Sequence, residues 1–132
     1  MMQITGLRTF IPTIDFEKSK LFYKALGFQV KWENDDLAIV GVKDFEFFLQ
    51  KFYVEDWANN FMMQLFVDDI KSFYDVVSNV YQSYENTKLK PIFEADYGYT
   101  FHLIDPAGVL WHVTERKTDR IMDENKLLCE NQ

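Results

Sequence analysis

Leu7-Arg8-Thr9-Phe10-Ile11-Pro12-Thr13-Ile14-Asp15-Phe16-Glu17-Lys18-Ser19-Lys20-Leu21-Phe22-Tyr23-Lys24-Ala25-Leu26-Gly27-Phe28 holds a strand, a helix start, a helix face and a helix stop in one run. Residues 7–12 alternate as a strand does. Asp15 is a residue type whose side chain accepts a hydrogen bond from the first turn of a helix. Ser19, Phe22, Tyr23 and Leu26 then fall at i, i+3, i+4 and i+7, which is one helix face. Gly27 stands where a left-handed backbone commonly ends a helix. Three short strand patterns follow, 29–33, 37–42 and 45–52, parted by Asn34-Asp35-Asp36 and Lys43-Asp44. The first half therefore reads β-α-β-β-β.

The second half repeats that order. Residues 54–60 read as a linker and 62–67 as a strand. Asp68 or Asp69 caps a helix with an apolar stripe of Ile70, Phe73, Val77, Val80 or Tyr81, and Tyr84. Residues 86–90 are polar and end it. Strand patterns at 90–95, 99–104 and 109–114 complete the set, the last two joined by Asp105-Pro106-Ala107-Gly108, residues suited to a tight turn. Ile14-Asp15-Phe16 before Phe22-Tyr23 returns loosely as Asp68-Asp69-Ile70 before Phe73-Tyr74. A period of half the chain points to duplication rather than to a solenoid. The expected organisation is a single domain over 1–132: module one at about 5–53, linker 54–60, module two at about 61–115, and a charged extension 116–132 in which Ile121 and Leu128 suit a short helix or a frayed tail.

Composition narrows the function classes. A chain of 132 residues, 48% hydrophobic and 17% aromatic, is long enough for a real core and too apolar for disorder. Its apolar runs are far shorter than the roughly 20 residues of a membrane span, and Met1 to Gly6 has no signal-peptide pattern, so a cytoplasmic protein is expected. The lone Cys129 fits a reducing compartment and cannot close an internal disulfide. A net charge of −7 and a pI near 4.7 oppose phosphate backbones, so nucleic acid is not an expected partner.

Ile11-Pro12-Thr13-Ile14-Asp15-Phe16-Glu17-Lys18-Ser19, then Phe22-Tyr23, Leu26-Gly27-Phe28, and later Tyr97-Gly98 through Phe101 to Asp105-Pro106-Ala107-Gly108, together resemble the vicinal oxygen chelate superfamily, the glyoxalase, bleomycin-resistance and extradiol dioxygenase group. The match covers about residues 7–115. The resemblance implies an α+β fold of two βαβββ modules whose curved, half-barrel sheets surround a shared cleft, often completed by a homodimer. Enzymes of the group usually hold a divalent metal with His and Glu side chains from the first and last strand of each module. Here those positions fall on Arg8, on Gln50 (or Phe48 if the register slips by two), on Met62 and on His112. A guanidinium has no lone pair to give and repels a cation, and a thioether suits hard metals poorly. One imidazole and one amide fall short of the three or four donors a metal site needs. No catalytic metal and no cofactor are therefore expected.

If Ile104 pairs with Val109 across the turn, Phe101 faces His112, and His102 lies on the other side of the sheet. Tyr99, Phe101 and Leu103 would then share a face with Leu110, His112 and Thr114, with Arg8 and Phe10 lining the same cavity. Trp32, Phe48, Tyr53, Trp57, Phe93 and Tyr97 sit at strand ends or loops, where exposure to a cleft is easier. Such a lining suits a flat or aromatic organic molecule, and Arg8 could clamp its carboxylate or phosphate. If Arg8 points inward, an anion from ligand or protein must lie beside it. His112 can contact a ligand or satisfy a buried neighbour, and no nucleophile or oriented carboxylate accompanies it. The expected function is metal-independent binding of a drug-like molecule, as in bleomycin-resistance proteins. The alternatives are a metal-dependent lyase, isomerase or dioxygenase, and a protein-interaction domain using residues 53–57.

Overall fold

The computed structural model describes residues 2–117. In chain order the elements are β1 (Phe10–Pro12), α1 (Phe16–Ala25), β2 (Gln29–Glu33), β3 (Leu37–Val42), β4 (Phe45–Gln50), α2 (Glu55–Asn59), β5 (Met62–Phe66), α3 (Ile70–Val80), β6 (Lys88–Leu89), β7 (Phe93–Ala95), β8 (Gly98–Ile104) and β9 (Leu110–Arg116). The strands form two mixed sheets, ordered β1-β4-β3-β2 and β5-β9-β8-β6, with β7 also paired to β8. In each sheet the first strand lies parallel to the last, β1 beside β4 and β5 beside β9. The same pairing in both halves is the structural form of the repeat seen in the sequence.

Local chemistry sets the helices as expected. The Asp15 side chain accepts from the Lys18 N–H at 3.1 Å, and Asp69 does the same for Ser72 at 3.1 Å. Gly27, with φ +106, ends α1 in the left-handed region that a side chain disfavours. Other boundaries moved. The strand expected at 90–95 begins only at Phe93, after Pro91, which has no N–H to give a ladder, and a separate two-residue strand forms before it at Lys88–Leu89. The linker contains the short helix α2, and β1 begins only at Phe10. The extension beyond residue 117, with Cys129 and the terminal helix considered for it, lies outside the described residues.

The β8–β9 turn is the consequential difference. The Asp105 N–H donates to the Val109 carbonyl at 3.0 Å, and Asp105 Oδ1 accepts from the Ala107 and Val109 N–H groups, both at 2.9 Å. Gly108 takes φ +95 and closes a three-residue loop. Asp105, not Ile104, thus faces Val109. Ile104 pairs with Leu110 and His102 with His112, one residue away from the expected register.

The sheets join through their helix-facing sides. Ile11, Val40, Leu49, Phe101 and Val113 are fully buried there, and Trp111 of β9 packs on Phe47, Tyr23 and Phe28 at centroid separations of 5.4, 5.8 and 6.3 Å. The opposite face of each sheet turns away from this joint core and is open.

Candidate functional site

Alternation along β1 and β4 sends Ile11 and Leu49 inward, and Phe10, Phe48 and Gln50 to the open face. Phe10 and Phe48 stack with centroids 4.5 Å apart and planes 14° apart. Phe10 stays 48% exposed, and Trp32, opposite Ile39 on the same face, 47%. Arg8 lies over the Phe48 ring at 5.4 Å, and its Nε donates to Glu46 Oε1 at 2.8 Å. Lys31 reaches the other Glu46 oxygen at 3.1 Å. Hydrogen bonds from Arg8 and then Lys31 hold the Glu46 carboxyl below the usual range. Arg8 does not point inward: its side chain is 40% exposed, and the anion beside it is the protein's own Glu46. Two cations share one carboxylate, so this end of the aromatic face keeps an excess of positive charge.

Those residues do not fit a hard divalent ion. Arg8 occupies the first-strand position, and the nearby carboxylate is already bound by two cations. Among the described residues no three His, Cys, Asp or Glu side chains are gathered as a metal site.

The second open face carries Met62, Gln64 and Phe66 of β5, His102 of β8 and His112 of β9. The two imidazoles pack edge to face at 4.7 Å, and His112 Nε2 lies 3.5 Å from Met62 Sδ. Phe93 packs against His102 at 5.5 Å. Partial burial, then His112 and Lys90, push the His102 pKa down. The one-residue change in the turn thus reverses the expectation for His102, which shares a face with His112. It also removes Phe101 from that face: Phe101 pairs with Val113 and is buried against Phe73 and Tyr74 at 6.2 and 5.1 Å. Tyr99 and Leu103 likewise alternate to the helix side. Leu110 and Thr114 remain with His112.

At the junction of the modules, Tyr23 Oη donates to Asp105 Oδ2 at 2.6 Å and accepts from Trp111 Nε1 at 2.9 Å. Burial is the main reason that the Asp105 carboxyl is raised to about 6 and the Tyr23 phenol pushed well above its usual value. Beside this turn a cleft of about 650 Å³ opens between Ile14, Tyr53, Glu55, Lys88, Pro106 and Leu110. Tyr53 lines it, whereas Trp57 on α2 points to solvent, 65% exposed and 6.2 Å from Phe52. Sequence reasoning missed Glu46, Lys31 and Gln64. Alternation from Phe48 could have placed Glu46 on the open face, but only the parallel β1–β4 register sets it beside Arg8.

By structure alone, the fold is bleomycin-resistance-like. The bleomycin-binding protein from the bleomycin-producing Streptomyces verticillus, complexed with copper(II)-bleomycin, superposes with a TM-score of 0.73 at 20% identity over 89% of this chain and 100% of that one. The bleomycin resistance determinant encoded on transposon Tn5 gives 0.72 at 23% identity, over 86% and 99%. A glyoxalase-related enzyme from Fulvimarina pelagi gives 0.68 at 13% identity, over 86% and 89%. No protein-family model and no curated protein matches the sequence.

Proposed function

We propose that this chain is a cytoplasmic, single-domain protein that binds a flat or aromatic, drug-like organic molecule and acts by holding it. The observation that carries this reading is the exposed Phe10–Phe48 stack, with Trp32 on the same face and the cationic Arg8–Glu46–Lys31 group at its edge. Exposed aromatic area of this kind gives a planar ligand a large contact at small entropic cost, and the positive edge orients an anionic substituent. Binding by stacking and charge needs no metal bridge. Similarity in fold to antibiotic-binding proteins supports the same reading.

A homodimer completes the site in this proposal. Both open faces turn away from the chain's own core and carry exposed apolar groups, Phe10 and Trp32 on one, Met62 (62%) and Phe66 (46%) on the other. A two-fold axis that sets the first sheet of one copy against the second sheet of its partner covers both at once and makes two equivalent clefts. Sizing by light scattering at micromolar concentration is expected to give twice the chain mass; a monomer removes the cross-subunit cleft.

The binding test is a thermal-shift screen of aromatic and glycopeptide-like compounds in the presence of a chelator. A ligand at 100 times its Kd stabilises by about 2.7 kcal/mol, a shift of several degrees. Shifts that vanish in chelator would instead favour a metal-dependent activity. No shift with any compound would contradict the binding proposal and favour the protein-interaction reading.

A further inference from the structure

We propose that the cleft between the modules is a second binding site, one that takes a short peptide of two or three residues with free ends and apolar side chains. Its floor is apolar. Lys88 pairs with Ile104 and Ile104 with Leu110, so the two aliphatic side chains stand side by side on β8 and β9 with the lysine at the edge of the row. Ile14, Tyr53 and Pro106 line the same cleft. Neither the Phe10–Phe48 stack nor the four positions that match the superfamily's metal ligands, Arg8, Gln50, Met62 and His112, lines it.

The walls are tied together before any ligand arrives. The Thr13 N–H, next to Ile14, donates to the Gln50 carbonyl at 3.1 Å, and the Leu110 N–H donates to the Phe61 carbonyl at 3.2 Å. Ala58 of α2 is fully buried. A Cβ on Gly108 would stand 2.8 Å from Asn59 Oδ1, so α2 lies directly against the hairpin loop. Burial, then the Glu55 and Asp105 charges, push the Tyr53 phenol up, so it keeps its proton and can donate into the cleft.

Charge selects the ligand. Glu55 and Lys88 line the cleft with opposite signs from separate elements, and neither makes an ion pair among the described residues. A simple anion would be repelled by Glu55 and a simple cation by Lys88. A molecule with an ammonium group at one end and a carboxylate at the other satisfies both. The side-chain amides of Asn59 and Asn86, which have no hydrogen-bond partner among the described residues, offer the donor and acceptor that a peptide group needs. Length follows from volume: about 650 Å³ is about 9 Å on a side, or two to three extended residues at about 3.3–3.6 Å each. The site is complete within one chain and needs no aromatic ligand, so its failure and the failure of the binding proposal above are separable.

The test titrates Leu-Leu and Leu-Ala-Leu calorimetrically, each with free ends, N-acetylated or C-amidated, into wild type, Glu55→Gln and Lys88→Met. At least one free peptide is expected to bind once per chain with a Kd of about 100 μM or tighter. Capping either end should weaken it about tenfold, the lower end for a hydrogen bond to a charged group. Glu55→Gln should cost the free peptide about tenfold and the N-acetylated one nothing further, and Lys88→Met should behave likewise toward the C-amidated form. Both side chains are exposed, and unchanged thermal unfolding shows that the variants fold. The amide resonances of Asn59, Ala107 and Gly108 should move on binding. No binding by either free peptide, capped forms that bind as tightly, or resonance shifts confined to Phe10 and Phe48 would overturn the proposal.

Discussion

Replacing Trp111 with alanine is expected to lower the unfolding free energy by about 4 kcal/mol, the usual size for removal of a buried aromatic. The indole is 4% exposed and fills the space between Tyr23, Phe28 and Phe47, where the two sheets meet. Removing it leaves a cavity bounded by rigid rings from both modules, which cannot collapse without moving α1 or β4. It also deletes the Nε1–H donor to Tyr23 at 2.9 Å. Trp111→Phe keeps most of the packing and loses the donor, at an expected cost of about 1–2 kcal/mol. Urea unfolding of the two variants checks both values. A loss below about 1 kcal/mol for Trp111→Ala would mean that the modules are not joined through this ring.

The second large effect is a pH dependence with an unusual sign. Asp105 is raised from 3.8 to about 6 by burial, with hydrogen bonds from Tyr23 and the turn amides opposing that shift. The folded state thus holds the proton more tightly than the unfolded chain does. The stability this adds is fully present below about pH 3.8 and is lost as pH rises through about 6. At 1.36 kcal/mol per pKa unit the change amounts to about 3 kcal/mol. Glu46 and Asp69, whose carboxyls are lowered, contribute with the opposite sign, so the quantity to measure is wild type minus Asp105→Asn. Urea unfolding at pH 4 and pH 7.5 should show that difference moving by about 2.5 kcal/mol in favour of the variant at the higher pH. A difference that stays constant would mean that Asp105 titrates normally.

The course of the chain was legible where local rules act alone. Asp15, the Asp68-Asp69 pair and Gly27 announced the two helices and one stop, with Asp69 proving to be the second cap, and the alternation of residues 37–42 announced a strand whose inward side is Ala38 and Val40. What escaped was register. A hairpin loop of three residues rather than four moves every cross-strand partner by one, and with period-two alternation that exchanges the faces. Phe101 went to the core and His102 to the open face for that reason. Nothing in the residue types of Asp105-Pro106-Ala107-Gly108 excludes either loop; the choice is made by Gly108 entering the left-handed region while Asp105 Oδ1 binds two amides. Arg8 was legible as a charge needing a partner, but Glu46 became that partner only through the parallel pairing of strands more than thirty residues apart.

In the proposed function an aromatic ligand lies on the Phe10–Phe48 face. Calorimetric titration of the strongest compound from the thermal screen, with chelator present, tests it most directly when wild type is compared with the Phe10→Ala/Phe48→Ala double variant. One site per chain is expected in the wild type. Because each stacking contact is worth about 0.5–1.5 kcal/mol beyond its area, the double variant should lose at least about tenfold in affinity. Equal affinity in the two proteins, with the variant folded, would contradict the account.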